Sequence, residues 1–197
     1  MRHLLCLGDS YTIGESILLT ESFPYQTVQL LRAAGKPFAA SEIVAKTGWT
    51  TNELLHHLNS YQLLPQYDFV TLLIGVNNQY RGYAINQFEE EFELLVNKSI
   101  HLTHSAQSVF TLSIPDWGAT PFAQGRDTQK ISSEIGAYNA IARNMCMQKG
   151  VSFLHTASAF DVIRTDPERT AADGLHPAPK ELLQWSQQVC AAIQSKI

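Results

Sequence analysis

The chain has 197 residues, 45% of them hydrophobic and 16% charged, with a formal net charge of −4. That length and apolar content suffice to bury a core without disulfides or metals, and they exclude a disordered polypeptide. Basic residues are scattered and outnumbered by acidic ones, 14 against 18, which argues against nucleic-acid binding and against a polybasic membrane anchor.

One domain over residues 1–197 is expected. No apolar run approaches the roughly 18 residues of a spanning helix, so stable membrane insertion is not expected. Met1-Arg2-His3-Leu4-Leu5-Cys6-Leu7 has too short an apolar core for a secretory signal and runs directly into Gly8-Asp9-Ser10. Cleavage there would remove a motif that carries chemistry. A cytoplasmic location is the expectation, with a secreted form that begins after processing as the alternative. Cys6, Cys146 and Cys190 are odd in number and lack CxxC spacing, so they read as reduced core thiols.

A first apolar run at residues 3–7 predicts a buried strand. The loop after it, Gly8-Asp9-Ser10-Tyr11-Thr12-Ile13-Gly14, holds a serine between glycines that permit a tight turn. After Ser22-Phe23-Pro24, the positions Tyr25, Val28 and Leu31 recur at helical spacing, and Pro24 suits a first turn. A second strand is predicted at 41–45, followed by Lys46-Thr47-Gly48-Trp49. Thr50 and Glu53 then form a capping-box pattern ahead of Leu54, Leu58 and Tyr61. A third strand at 69–74 leads into Gly75-Val76-Asn77-Asn78. Phe88, Phe92, Leu95 and Ile100 mark a helix whose acidic early turns suit its N-terminal half. A fourth strand is predicted at 108–114.

The irregular stretch 115–128 is long for a compact domain, and such loops are usually functional. Ile131, Ile135, Tyr138, Ala142 and Met145 mark another helix, and residues 151–155 a fifth strand. Asp173-Gly174-Leu175-His176-Pro177 then precedes a last helix carrying Leu182, Val189 and Ile193. Alternating strands and helices predict a three-layer α/β/α domain with a parallel sheet. Ligands bind such sheets at the carboxyl ends of the strands, where all of these loops lie.

Singly, each loop reads as a structural turn; together their chemistry is complementary. A serine hydroxyl is a weak nucleophile and needs a base. Asp173 and His176, three apart in a turn, can face the same way, so that the carboxylate orients the imidazole and stabilises its cation. Gly48 N–H lies at a helix start, and the Asn77 amide is a neutral donor; both suit an oxyanion. A 2-1-3-4-5 strand order would allow Ser10 and His176 to meet.

The ordered set GDSYTIG, Gly48, GVNN and DGLHP resembles blocks I, II, III and V of the SGNH (GDSL) hydrolase family, from Gly8 to Pro177. The resemblance implies a flavodoxin-like α/β/α sandwich of about five strands and ester hydrolysis with no metal or organic cofactor. It assigns Ser10 as nucleophile, His176 as base and Asp173 as orienter, with the Ser10 and Gly48 N–H groups and the Asn77 amide as oxyanion donors. One departure is visible: Asn78 stands where the family commonly has Asp, which puts the support of that loop in question. The GxSxG elbow of α/β-hydrolases is missing.

The expected partner is a small-molecule ester, with no nucleic acid. Candidate substrate contacts are Asp9, Tyr11, Trp49, Asn78, Tyr80, Arg81, Trp117 and Phe122. Of Tyr11 and Trp49, one is expected to meet ligand and the other to pack inward. Arg81 either steers an anionic group or is an ordinary surface residue; Trp117 and Phe122 either wall an acyl pocket or pin their loop to the core. Within the enzyme class, a short-chain or lysophospholipase-like esterase competes with a carbohydrate O-deacetylase. A non-catalytic flavodoxin-like binding module is the rival from another class, and it leaves Asp173, His176 and Asn77 without a purpose. Oligomeric state is not readable from the sequence.

Overall fold

Strand pairing accounts for the backbone of five apolar runs, because a buried peptide group needs a hydrogen-bond partner. They are β1 (Leu4–Gly8), β2 (Glu42–Ala45), β3 (Phe69–Leu73), β4 (Val109–Leu112) and β5 (Ser152–Leu154). The computed structural model describes residues 1–156 and 167–197. All five strands are parallel, in the order β2-β1-β3-β4-β5. β1, β3 and β4 are buried along their whole length, whereas the edge strands β2 and β5 are only partly so. The register aligns the carboxyl ends, with Gly8 opposite Ala45 on one side and Leu73 on the other.

The five expected helices are α2 (Phe23–Ala33), α3 (Thr51–Ser60), α5 (Ile85–Thr103), α6 (Thr128–Lys149) and α7 (Pro179–Gln194). Their starts follow local chemistry. Pro24 and Pro179 sit in first turns, and Thr50 with Glu53 makes the full capping box. Two single-turn helices were not expected: α1 (Ser10–Ile13) and α4 (Val76–Tyr80). They carry the GDSY and GVNN segments, which read as loops because four or five residues are too few for a periodic signal.

α2 packs on α7, while α5 contacts both α3 and α6. This split follows from right-handed crossovers: the first step in strand order runs one way across the sheet and the later ones run the other way. The result is a three-layer α/β/α sandwich with a flavodoxin-like strand order. Among the described residues no helix is long and apolar enough to cross a membrane.

Gly8 ends β1 where the chain turns into α1. A Cβ there would lie 2.1 Å from Thr12 Oγ1 and 2.4 Å from the Leu73 carbonyl oxygen. The second neighbour is strand backbone and cannot rotate away. Gly8→Ala is therefore expected to destabilise the protein by about 1–3 kcal/mol, the usual range for overpacking. Urea denaturation followed by tryptophan fluorescence measures this; an unchanged midpoint would contradict the close packing of β1, α1 and β3.

Candidate active site

Ser10 is the first residue of α1, and its position is set from both ends of that turn. Asp9 is the N-cap, and its Oδ1 accepts the Tyr11 N–H at 3.1 Å. Gly14, in the left-handed region with φ 75°, closes the turn by donating its N–H to the Ser10 carbonyl. The Ser10 side chain is thus held at the carboxyl edge of the sheet and is largely buried.

His176 meets it from the other end of the chain. Its Nε2 lies 2.9 Å from Ser10 Oγ, and its Nδ1 lies 2.6 Å from Asp173 Oδ2. The tautomer with its proton on Nδ1 fits the carboxylate and leaves Nε2 free to accept the serine proton. Asp173 Oδ1 accepts the Leu175 and His176 N–H groups, each at 2.9 Å. Burial alone would raise the Asp173 carboxyl. The hydrogen bonds from Ser16, His176 and these two backbone groups outweigh it and hold the carboxyl well below the usual carboxylate range. Tyr11 packs edge-on against the imidazole, with centroids 5.5 Å apart.

The oxyanion candidates converge on the same space. Gly48 has φ 83°, a conformation that disfavours any side chain. Its N–H meets no acceptor among the described residues. Arg81 Nη2 donates to the Gly48 carbonyl at 2.5 Å and its Nη1 lies 3.3 Å from Glu53, which fixes the turn from behind. Asn77 Nδ2 donates one hydrogen to the Trp49 carbonyl at 3.0 Å. The second amide hydrogen is left for the cavity.

The cavity, of about 210 Å³, is lined by Ser10, Gly48, Asn77 and His176, with Tyr11, Tyr80, Trp117 and Phe122 among its aromatic walls. Thr47, Val76 and Leu175 also line it. These three were not singled out from the sequence, although each adjoins a residue that was. Four expected contacts stand elsewhere. Asp9 is fully buried, and Trp49 packs with its ring tilted against His57, centroids 4.8 Å apart. Arg81 is engaged by Gly48 and Glu53. Asn78 is fully buried: its Oδ1 accepts the Thr51 N–H at 3.0 Å and its Nδ2 donates to Thr51 Oγ1 at 2.7 Å. The loop is therefore supported without the commoner Asp, since an amide supplies both an acceptor and a donor.

Trp117 and Phe122 both wall the cavity and hold their loop. Trp117 is buried and donates its Nε1–H to Gln79 Oε1 at 2.7 Å. The Phe122 N–H donates to the Gly174 carbonyl at 3.0 Å, which ties residues 115–128 to the loop bearing His176. The Arg126 guanidinium lies 5.2–5.4 Å from the ring centroids of Tyr80, Trp117 and Phe122.

Burial pushes the Asp9 carboxyl up to about 7, against the opposing bond from Tyr11 N–H. A carboxyl raised on folding favours the unfolded chain once it ionises. Its contribution to stability is complete below the ordinary value of 3.8 and is lost as pH rises through about 7. Asp9→Asn keeps the capping oxygen and removes the ionisation. Thermal melts should show the variant gaining several degrees over the parent near pH 8 and nothing near pH 4; an equal shift at both would contradict a buried titrating Asp9.

A model of the GDSL-like lipase/acylhydrolase family matches residues 6–180. Among solved structures, an acetylxylan esterase from Geobacillus stearothermophilus superposes with a TM-score of 0.77 at 19% identity, over 98% of this chain and 94% of that one. A lipase/acylhydrolase from Enterococcus faecalis gives 0.78 at 20% identity, over 100% and 97%. An α/β hydrolase from the metagenome of Lake Arreo, Spain, gives 0.73 at 17% identity, over 98% and 95%. At such identities these likenesses establish the fold. No curated protein is significantly similar in sequence. With a family match that spans almost every strand and every loop of the site, the chain belongs to the GDSL-like lipase/acylhydrolase family and is a carboxylic ester hydrolase of the SGNH type.

Proposed function

We propose that the protein hydrolyses short-chain carboxylic esters through a Ser10–His176–Asp173 triad and an acyl-enzyme. The observation that carries this reading is the continuous line of hydrogen bonds from Asp173 Oδ2 through the imidazole to Ser10 Oγ, at 2.6 and 2.9 Å. His176 Nε2 takes the hydroxyl proton as Ser10 Oγ attacks the ester carbonyl, and Asp173 stabilises the imidazolium. The Ser10 N–H, the Gly48 N–H and the free Asn77 amide hydrogen receive the oxyanion. The imidazolium then protonates the departing alcohol. Water repeats the attack on the acyl-enzyme, with His176 again as base and the acid as product.

The acyl side is read from volume. A cavity of about 210 Å³ is smaller than the roughly 300–1,000 Å³ of sites for drug-sized ligands. Trp117 is buried and tied through Gln79, so that wall does not retreat for a long chain. This favours an acetyl- to butyryl-sized group over a lysophospholipid chain. A carbohydrate acetate is the second reading, supported by the rings of Tyr80 and Phe122, which line the cavity and are 48% and 39% exposed overall. Flat exposed rings suit stacking on a sugar face.

Fluorophosphonate labelling should modify Ser10 and fail on Ser10→Ala, which should also lose hydrolysis of p-nitrophenyl acetate; retained activity in that variant would refute the triad. Asn77→Ala should lower turnover by about 10²–10³-fold with the melting temperature little changed. Across p-nitrophenyl acetate, butyrate and octanoate, kcat/KM should fall by about tenfold or more at the longest chain. Acetylated xylooligosaccharides assayed in parallel decide between the two alcohol portions.

A further inference from the structure

Ser16 lies in the loop after α1 with φ 65°, and Ser16 and His104 are the two non-glycine residues with positive φ among those described. The left-handed conformation costs a serine roughly 1–2 kcal/mol relative to its ordinary regions. Elsewhere the chain meets this requirement with glycine, as at Gly35, Gly82 and Gly125, where a Cβ would meet nothing within 4 Å. Open space thus does not by itself call for a side chain in that conformation. The serine side chain has a use: Ser16 Oγ donates to Asp173 Oδ2 at 2.6 Å, across 157 residues of sequence.

That bond completes a pattern. Each carboxylate oxygen of Asp173 takes two donors: Oδ1 the Leu175 and His176 N–H groups, Oδ2 the His176 ring and Ser16. A carboxylate has about four lone-pair sites, so the set is saturated. Three of the four donors belong to Asp173's own turn. Ser16 is the exception, and it approaches from the segment that carries the nucleophile. The Asp173 side chain remains 31% exposed, so burial does not hold its orientation and water competes for Oδ2.

We propose that Ser16 is a positioning residue for ester hydrolysis, its hydroxyl fixing the direction in which Asp173 presents Oδ2 to His176. The inference rests on the triad reading above. It gives the chain two hydrogen-bonded ties between the serine-bearing and histidine-bearing loops. Ser10 to His176 is broken and remade during each turnover; Ser16 to Asp173 persists through the cycle. The strained backbone at Ser16 is kept because the hydroxyl is needed where it stands.

Ser16→Gly removes the hydroxyl and relieves the backbone; Ser16→Ala removes the hydroxyl and keeps the strain. Rates are taken per active site titrated with a fluorophosphonate, so that misfolded protein is not counted. Both variants should lose about 10- to 100-fold in kcat, the scale of one hydrogen bond to a charged group, with KM within about twofold. The downfield proton resonance of the His176 Nδ1–H should weaken through faster exchange with water. Ser16→Gly should melt above Ser16→Ala.

Wild-type kcat and an unchanged resonance in Ser16→Gly would overturn the proposal, even if Ser16→Ala failed to fold. Full activity in Ser16→Gly beside a loss in Ser16→Ala would also overturn it, by assigning the effect to the backbone. Failure of the parent protein to react with the fluorophosphonate would instead refute the triad reading on which the inference stands.

Discussion

The hydrogen bond of 2.9 Å between His176 Nε2 and Ser10 Oγ joins residues 166 positions apart, and it imposes a condition on the whole sheet. Ser10 follows β1, next to one edge of the sheet, whereas His176 comes after β5, the strand at the far edge. His176 nevertheless stands beside the end of β1, three strands away from that edge. Packing of α7 on α2 brings it there. Trp185 of α7 is fully buried between Tyr11 of α1 and Phe23 of α2, at centroid distances of 6.4 and 6.3 Å. Tyr11 also touches the imidazole. An apolar contact in the core thereby fixes a polar contact at the carboxyl edge of the sheet.

The remaining loops are tied to one another in the same way. Asn78 links the start of α4 to Thr51 at the start of α3, and the Trp49 carbonyl orients Asn77. Gln79 accepts from Trp117 and donates to Glu134 of α6 at 2.8 Å, so the aromatic wall is anchored to a long helix rather than to its own loop. Arg126 closes this wall from outside. Cation–π contacts at an exposed site contribute about 0.5–1 kcal/mol each, and three rings sharing one guanidinium add to the restraint that buried Trp117 and Ala123 already place on the loop. A site composed of loops is held rigid because each loop borrows a partner from the next.

Electrostatics divide the carboxylates of the first and last loops into different roles. Asp9 and Asp173 both sit in short turns and both accept backbone N–H groups. Asp173 has two further donors and partial solvent access, which keep it ionised beside the His176 ring. Asp9 is fully buried with fewer donors to its carboxylate, and burial dominates. One residue type is held charged beside an imidazole in one place and serves as a buried cap in the other, according to how many donors the fold supplies.

The strands and the long helices were legible from the chain because period and capping are local properties. The runs at 3–7, 41–45, 69–74, 108–114 and 151–155 each contain an observed strand, trimmed or shifted by a few residues at the ends. The residues around the cavity were legible as motifs, since Ser, His, Asp, Gly and Asn at strand ends have few combined uses. Their division of labour was not. Nothing in the residues 8–14 tells that Asp9 points down and Tyr11 toward the imidazole, or that Asn77 faces the cavity while Asn78 faces Thr51. Those choices depend on which neighbours arrive from distant sequence, and on whether they bring donors or apolar surface. Ser16 is the clearest case: its sequence context is an ordinary loop. Only the approach of Asp173, 157 residues later, gives its hydroxyl a partner and its strained backbone a reason.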